Sequence, residues 1–356
     1  MRLHYRDLPV SVAVTDISAP FEVSGSMAIG GSASGDSNFT TGGGFSYSER
    51  PTLSLSILAG GEFQKRLLSP LDISEISLLI GSGWRIDRVL MFAVERLNGL
   101  DNANSASGPT PALAPEYKNF REAAMLLEEL RASPLVRTDH RSSRRTIGAA
   151  LKPSQIRGDA MINASAAGLT FEKGLREEEG FQLTVGERVM MLRFRDSSAE
   201  HPKVRRLREL LRLHPDRKAF DIVASAVSSI DPLQPQASVG ELAIDTRSLM
   251  GVPFYLSNGV QTPPEHLAQG LVRPTRTADG QLFEWKDLLG GLINIHASRT
   301  APENAAIAIQ HRGYWFFVAD DDASTKTTFM LLSELFALQS GEPTRQRPVL
   351  TLPAGG

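Results

Sequence analysis

Apolar and polar residues alternate in three stretches near the N-terminus. The alternation runs through residues 10–14, 21–29 and 53–57. A period of two is typical of β-strands that present one face to a core. A glycine- and serine-rich segment, residues 30–44, separates the second stretch from the third. We therefore expect three strands here, with a flexible hairpin tip or loop between the last two.

The period lengthens to that of a helix after residue 70. Asp72 and Glu75 have the spacing of a capping box, so a helix is expected to begin directly after Asp72. A second helix is predicted over residues 84–99, with Gly99 as its C-terminal stop. Its apolar face comprises Ile86, Val89, Leu90, Ala93, Val94 and Leu97.

A third helix is predicted behind Pro115, where apolar residues recur at helical spacing. Its inward residues are Phe120, Ala123, Ala124, Leu127 and Leu130. The segment ahead of it, residues 100–115, is rich in Asn, Ser and Pro and has the composition of a linker.

The second half of the chain mixes both periods. The basic segment 136–148 is interpreted as a loop. Strand patterns occupy residues 169–173, 181–195 and 219–225, and a hairpin over residues 305–319 is expected to turn at His311 to Gly313. Helical patterns occupy residues 203–215, 246–260 and 263–270, and a last one follows the hairpin.

These elements predict an α+β fold. Residues 1–104 form a strand-rich region with a Gly/Ser loop and two helices. Residues 105–116 form a linker. Residues 117–356 form a larger mixed domain that ends in a β-hairpin and a buried C-terminal helix.

The composition of the chain excludes several kinds of site. Its 356 residues, 41% of them apolar, are enough to bury an ordinary core. Cysteine is absent, which excludes disulfides, thiolate metal sites, iron–sulfur clusters and a cysteine nucleophile within this chain. The 38 basic and 40 acidic side chains nearly cancel, so nucleic acid is not an expected partner. No signal-peptide core or bilayer-length apolar run is found.

Three consecutive acids, Asp320, Asp321 and Asp322, form the most site-like stretch of the sequence. Adjacent carboxylates diverge along a chain, and the spacing does not fit a calcium loop. Acids immediately ahead of an apolar helical run instead satisfy its free amide groups. Capping of the last helix is therefore the favoured interpretation. The alternative is a metal-assisted hydrolase that uses these acids with His296 or His311.

Two further clusters have a structural and a functional interpretation. The aromatic residues 314–317 are expected to pack beneath the last helix, although they could also form a ligand platform. A basic cluster could contact an anion or an acidic partner, although a solvated loop is favoured. The cluster comprises Arg137, His140, Arg141, Arg144 and Arg145.

Known catalytic and cofactor motifs are absent from the sequence. It has no phosphate-binding loop, dinucleotide fingerprint, nucleophile elbow or HExxH zinc motif, and its seven histidines lack metal-ligand spacing. We therefore expect no cofactor, no metal and no catalytic residue. One further alternative is an oligomer in which each subunit gives its N-terminal β-hairpin to a membrane barrel.

Several stretches of the chain resemble an uncharacterised group of bacterial cell-envelope proteins, many of them exported or lipoprotein-like. The resemblance is carried by YRDLPVSVAVTDI, YSERPTLSLSIL, FQKRLLSPL, IDRVLMFAVERLNGLDNA, FYLSNGV and YWFFVADDDASTKTTFMLLSELFALQSG. It implies the cell envelope or its periplasmic side, with an export signal and any lipid-bearing cysteine upstream. A native start at Met1 implies the cytoplasm instead. The resemblance implies no activity.

The sequence thus favours a non-enzymatic binding or scaffolding protein of the bacterial envelope. Its expected partners are other envelope proteins or further copies of itself. Membrane contact would come through an upstream lipid anchor or the N-terminal hairpin.

Overall fold

The computed structural model describes residues 3–7, 65, 67–156, 158–173, 180–225 and 240–340. The predicted N-terminal strands and the Gly/Ser loop lie outside the described residues. Within them, the α+β class is confirmed, with nine α-helices and ten strands in two sheets. No helix in the described ranges combines the length and apolar character needed to span a bilayer.

The first two helices follow from local sequence signals. Helix α1 (Ile73–Gly81) begins with the predicted capping box: Asp72 accepts a hydrogen bond from the Ser74 amide, and Glu75 accepts one from the Asp72 amide. Helix α2 (Ile86–Ala93) buries the apolar residues that were predicted for its face as far as Ala93. The amphipathic pattern and the cap therefore suffice to specify these elements.

The prediction that this second helix continues to Gly99 is wrong. Strand β1 (Val94–Leu97) follows α2 directly and turns into β2 (Leu100–Asp101). The Ala93 carbonyl accepts a hydrogen bond from the Arg247 amide at 2.7 Å, so it cannot extend the helix. Asn98 and Gly99 both have positive φ, 47° and 85°, as the tight turn of a hairpin requires.

Helix α3 (Lys118–Ala132) is the third predicted helix, and its five predicted inward residues are all buried. Strand β3 (Val136–Leu151) follows, although this basic segment was predicted to be a loop. It pairs with β5 (Phe181–Phe194) from Val136 opposite Phe194 to Ile147 opposite Leu183. Pairing with a long strand elsewhere in the chain therefore makes this segment a strand, although its own sequence has few apolar residues.

A seven-stranded sheet forms the centre of the protein. Its order is β2-β1-β7-β6-β5-β3, with β4 also paired to β5. All pairs are antiparallel except that between β6 and β7. The remaining ranges are β4 (Leu169–Lys173), β6 (Ala219–Ala224), β7 (Glu241–Thr246) and the helices α4 (Gly158–Ala166) and α5 (Pro202–Leu210). The predicted hairpin of β4 and β5, the charged helix and the strand at β6 are confirmed.

The predicted linker packs against this core. Ala106 is buried, and Arg247, which is fully buried, donates hydrogen bonds to the Ser107 hydroxyl and the Asn102 carbonyl. The Arg247 guanidinium lies 3.8 Å from the centre of the Tyr255 ring. Strands on both sides of residues 105–116 share the large sheet. The division of the chain into residues 1–104, a linker over 105–116 and a domain over 117–356 stays a prediction, which separate expression of the two parts would test.

Residues 251–340 build a smaller unit beside the large sheet. It contains α6 (Gly251–Ser257), α7 (Pro264–Ala268), α8 (Trp285–Leu289), β8 (His296–Ser298), β9 (Ala305–His311), β10 (Tyr314–Ala319) and α9 (Ala323–Ser340). The predicted hairpin turns at Arg312 and Gly313 into an antiparallel sheet of order β8-β10-β9. Helix α9 buries Leu331 and Leu335 in the main core, whereas Phe316 of β10 packs with Tyr5, Val260 and Val272.

Candidate polar cleft beside the N-terminal segment

A cavity of about 360 Å³ opens between the segments that connect the helices of the smaller unit. Most of its wall comes from four stretches of chain, and His4, Thr110 and Leu267 complete it. The four stretches are residues 258–262, 272–275, 282–286 and 293–296. Its volume lies within the range of roughly 300–1,000 Å³ that is typical of small-molecule sites. We call it the polar cleft, because its lining includes amide, hydroxyl, imidazole and charged side chains.

The N-terminal segment, residues 3–7, reaches this wall through side-chain contacts. The Nε2 atom of His4 lies 2.7 Å from the Thr262 hydroxyl oxygen. The Tyr5 hydroxyl lies 2.6 Å from Nδ1 of His266, and Asp7 accepts a hydrogen bond from Arg312 at 2.7 Å. The segment is thereby attached to α7 and to the β9–β10 turn.

Burial controls the protonation of both anchoring rings. It lowers the pKa of His4 to about 4, so the imidazole is neutral near pH 7. It raises the pKa of Tyr5 to about 12, so the hydroxyl that lies beside Nδ1 of His266 keeps its proton. The Tyr5 ring makes edge contacts with His311 and Phe316.

An exposed ion cluster supports the same side of α7. Glu265 accepts hydrogen bonds from the Tyr314 hydroxyl at 2.6 Å and from Arg299 at 2.7 Å. These two bonds, the one from Tyr314 foremost, lower the pKa of Glu265 to about 2. The carboxylate therefore stays charged down to strongly acidic pH and links α7 to strand β10.

Two buried polar atoms of the cleft have no hydrogen-bond partner among the described residues. They are Nδ1 of His4 and Oδ1 of Asn258, whose residues are 6% and 3% exposed. The other nitrogen of the Asn258 amide donates to the carbonyls of Phe254 and Tyr255, both at 3.2 Å. Its oxygen is therefore left as an unpaired, buried acceptor in a residue that lines the cavity. Buried polar groups nearly always have a partner, from the protein or from a bound molecule.

Further polar groups and an aromatic ring line the same space. Gln261 accepts a hydrogen bond from the Ala297 amide through Oε1, which leaves its amide nitrogen as a potential donor. Asn294 lies 3.1 Å from Nε2 of His296 through its side-chain nitrogen. The Trp285 indole is held by its N–H, which donates to the Thr275 hydroxyl at 3.2 Å. The cleft thus offers fixed groups of both hydrogen-bonding types.

A second cavity, of about 330 Å³, adjoins the cleft and shares Val260 and Ile293 with it. Its other walls are almost wholly aliphatic or aromatic, and the hydroxyl of Ser257, its only polar side chain, already donates to Phe254. Without fixed polar groups, this cavity offers little to orient a ligand.

The three consecutive acids begin helix α9. Asp322 accepts hydrogen bonds from the amide and the hydroxyl of Thr325, at 2.9 and 2.6 Å, which is N-terminal capping. Asp320 pairs with Lys326 at 3.3 Å. His311 instead faces Asp7, and His296 stacks on Phe317. The predicted cap is confirmed, and the searched part of the chain contains no group of three metal-binding side chains.

The basic cluster lies on strand β3, where neighbouring acids pair with its arginines. The pairs are Arg137 with Asp139, Arg141 with Asp221, Arg144 with Glu172 and Arg145 with Glu187. His140 lies 2.6 Å from the Ser77 hydroxyl. The structure therefore brings these five residues along one strand but satisfies them locally, and contact with an anion or a partner stays a prediction.

Apart from His296, sequence reasoning did not single out the residues of the polar cleft. His4 and Asn258 are separated by most of the chain, and no motif relates them. The only local signal was the helix end at Ser257–Asn258–Gly259. No protein-family model, curated protein sequence or solved structure matches this chain.

Proposed function

We propose that this protein is a non-enzymatic binding protein whose polar cleft holds a small carbohydrate-like ligand, one that carries hydroxyl and amide groups. The observation that carries the proposal is the pair of buried polar atoms, His4 Nδ1 and Asn258 Oδ1, beside a cavity of suitable size. A buried acceptor without a donor costs roughly 1–3 kcal/mol. A ligand hydroxyl or amide N–H removes that cost at Asn258.

The remaining lining suits the same class of ligand. Sugar hydroxyls both donate and accept hydrogen bonds, and Gln261 and Asn294 supply side-chain amides for this. The aromatic rings of Phe283 and Trp285 also line the cavity and can pack against the C–H groups of a sugar ring. An acylated amine would add one further donor and one further acceptor.

The described walls of the cleft contain one histidine–hydroxyl pair. The protonation of its imidazole favours binding over catalysis. His4 contacts the Thr262 hydroxyl, as a base contacts a nucleophile. However, an imidazole with a pKa of about 4 is a weak base at neutral pH. The hydrolase alternative is also less favoured, because Asp322 is engaged in capping a helix.

The envelope location and its partners remain part of the proposal. The resemblance to bacterial envelope proteins supports them, and a ligand of carbohydrate type is compatible with that location. We extend the proposal to contact with other envelope proteins or self-association. The ion pairs of Arg141 and Arg144 make the basic strand a weaker candidate for such contact than an unpaired cluster would be.

Calorimetric titration with N-acetylglucosamine tests the proposed function, because this sugar carries hydroxyls and an acylated amine. Leu282 lines the cleft, is 50% exposed and has no polar side-chain group, so Leu282→Trp should obstruct the cavity without removing a hydrogen bond. Leu68→Trp, at a 70% exposed position outside the lining, is the matched control. We expect millimolar or tighter binding by the wild type and Leu68→Trp, and loss of binding in Leu282→Trp. Equal binding by all three proteins contradicts the proposal, and so does a failure to bind either this sugar or an acidic derivative of it.

A further inference from the structure

Two basic side chains line the polar cleft without a partner. Arg273 and Lys286 are exposed, and neither forms a side-chain hydrogen bond or ion pair with any residue that the structure describes. Unpaired surface cations are common, so this alone carries little weight. Their position matters because they border the cavity that His4 and Asn258, the residues with the two unpartnered buried atoms, also line.

One acidic residue, Glu284, lines the same cavity. It makes no ion pair with Arg273 or Lys286. We call the three charged side chains of Arg273, Lys286 and Glu284 the rim of the cleft. Because two of them are basic, one is acidic and His4 is neutral, the rim carries an excess of positive charge near pH 7. Such a rim attracts an anionic ligand and repels a cationic one.

We propose that the cleft ligand carries an acidic group, a carboxylate or a phosphate, which Arg273 and Lys286 bind while Asn258 accepts a hydrogen bond from a hydroxyl or amide. This inference rests on the proposed function and specifies its ligand as an acidic carbohydrate. Arginine suits either group, because its planar guanidinium donates two parallel hydrogen bonds to carboxylate or phosphate oxygens.

Titration with three related sugars measures what an acidic group adds to the affinity of the rest of the ligand. N-acetylglucosamine is neutral, N-acetylmuramic acid adds a carboxylate to the same ring, and N-acetylglucosamine 6-phosphate adds a phosphate. Hydrogen bonds to charged groups are strong enough that we expect the better acidic sugar to bind about tenfold more tightly than the neutral one. The difference between the two acidic sugars identifies which group the cleft prefers.

Variants at the rim assign the preference to particular charges. Arg273→Ala and Lys286→Ala should each lower the affinity for the acidic sugar and leave the affinity for the neutral sugar nearly unchanged. Glu284→Gln should raise the affinity for the acidic sugar, because it removes a repelling carboxylate. Arg205→Ala, at an exposed position outside the cleft, is the matched control. Added salt should reduce the preference, because exposed charges are screened.

The outcomes distinguish this inference from the proposed function. Equal affinity for the neutral and acidic sugars, or a preference that survives both alanine substitutions, overturns the acidic ligand but leaves the carbohydrate site. Failure of all three sugars to bind overturns the proposed function itself. All four positions are exposed, so unchanged melting temperatures verify that the variants are folded.

Discussion

His4 and Thr262 are joined by a 2.7 Å hydrogen bond although 258 positions separate them in the chain. This contact makes the N-terminal segment part of the wall of the polar cleft. It lies beside the Tyr5–His266 contact and the Asp7–Arg312 ion pair, so three anchors hold residues 4–7. Folding of the smaller unit and formation of the cleft are therefore coupled to this short segment.

Thr262→Val should destabilise the protein, because the new side chain has the same shape but leaves the buried His4 without its partner. We expect the free energy of unfolding to fall by about 1 kcal/mol. Urea denaturation followed by circular dichroism measures the change. Thr262→Ser keeps the hydroxyl and should lose clearly less stability. A valine variant as stable as the wild type would show that the contact contributes nothing.

Acidification should destabilise the protein through His4. Its pKa is about 4 in the folded protein and 6.5 when exposed, so between these values the unfolded chain binds a proton that the folded protein does not. Stability is therefore unaffected by this group above about pH 7 and is lost as the pH falls toward 4, by up to about 3 kcal/mol. His4→Gln should remove this part of the loss between about pH 7 and pH 4.5.

The loss that remains in His4→Gln has an identifiable source. Hydrogen bonding to Arg312 lowers the pKa of Asp7, and hydrogen bonding to Tyr314 lowers that of Glu265, so both carboxylates stabilise the fold above their unfolded pKa and lose this effect in acid. Their contribution falls mainly below about pH 4.5. Identical pH profiles for wild type and His4→Gln above that pH would contradict the assignment to His4.

Asp322→Ala should lower the free energy of unfolding by about 1 kcal/mol, because the amide of Thr325 loses its cap. Asp321→Ala is the matched control, since that exposed side chain makes no hydrogen bond or ion pair with the described residues and its loss should cost less than about 0.5 kcal/mol. Magnesium and manganese should not raise the melting temperature of any of the three proteins. A rise that Asp321→Ala abolishes would restore the metal interpretation.

Gly99→Ala should destabilise the β1–β2 turn, because Gly99 has a φ of +85° that costs an alanine roughly 1 kcal/mol. A methyl group there would meet no atom within 4 Å, so the backbone alone accounts for the cost. Gly186→Ala on β5 also finds open space, but without a positive φ it should be neutral or slightly stabilising. Equal effects of the two substitutions would contradict a strained turn.

Elements specified by nearby residues could be predicted from the sequence. The capping box of α1, the apolar face of α3 and the Arg312–Gly313 turn each depend on residues a few positions apart. Strand β1 was missed because residues 94–97 fit a helical face as well, and only pairing with β7 decides between the two. Strand β3 was missed for the same reason, since its partner β5 lies far along the chain.

The polar cleft could not be predicted, because no local pattern marks it. Its residues come from segments that only the folded chain brings together. In the sequence, Asn258 looks like an ordinary residue at the C-terminal end of a helix. The acids at 320–322 were conspicuous in the sequence, yet Asp320 and Asp322 bond to residues of the helix that follows them. The conspicuous run of acids therefore indicated a local structure, the start of a helix. The candidate site instead depends on burial and on contacts between distant parts of the chain.

The indole N–H resonance of Trp285 gives the most direct test of the cleft as a carbohydrate site. The protein has three tryptophans, of which Trp285 lines the cleft while Trp84 bonds to Glu334 and Trp315 lies on β10. Titration of the ¹⁵N-labelled protein with N-acetylglucosamine and N-acetylmuramic acid should shift the Trp285 resonance in a saturable way, leave Trp84 unmoved and saturate earlier with the acidic sugar. A Trp285 resonance that neither sugar moves would contradict the account.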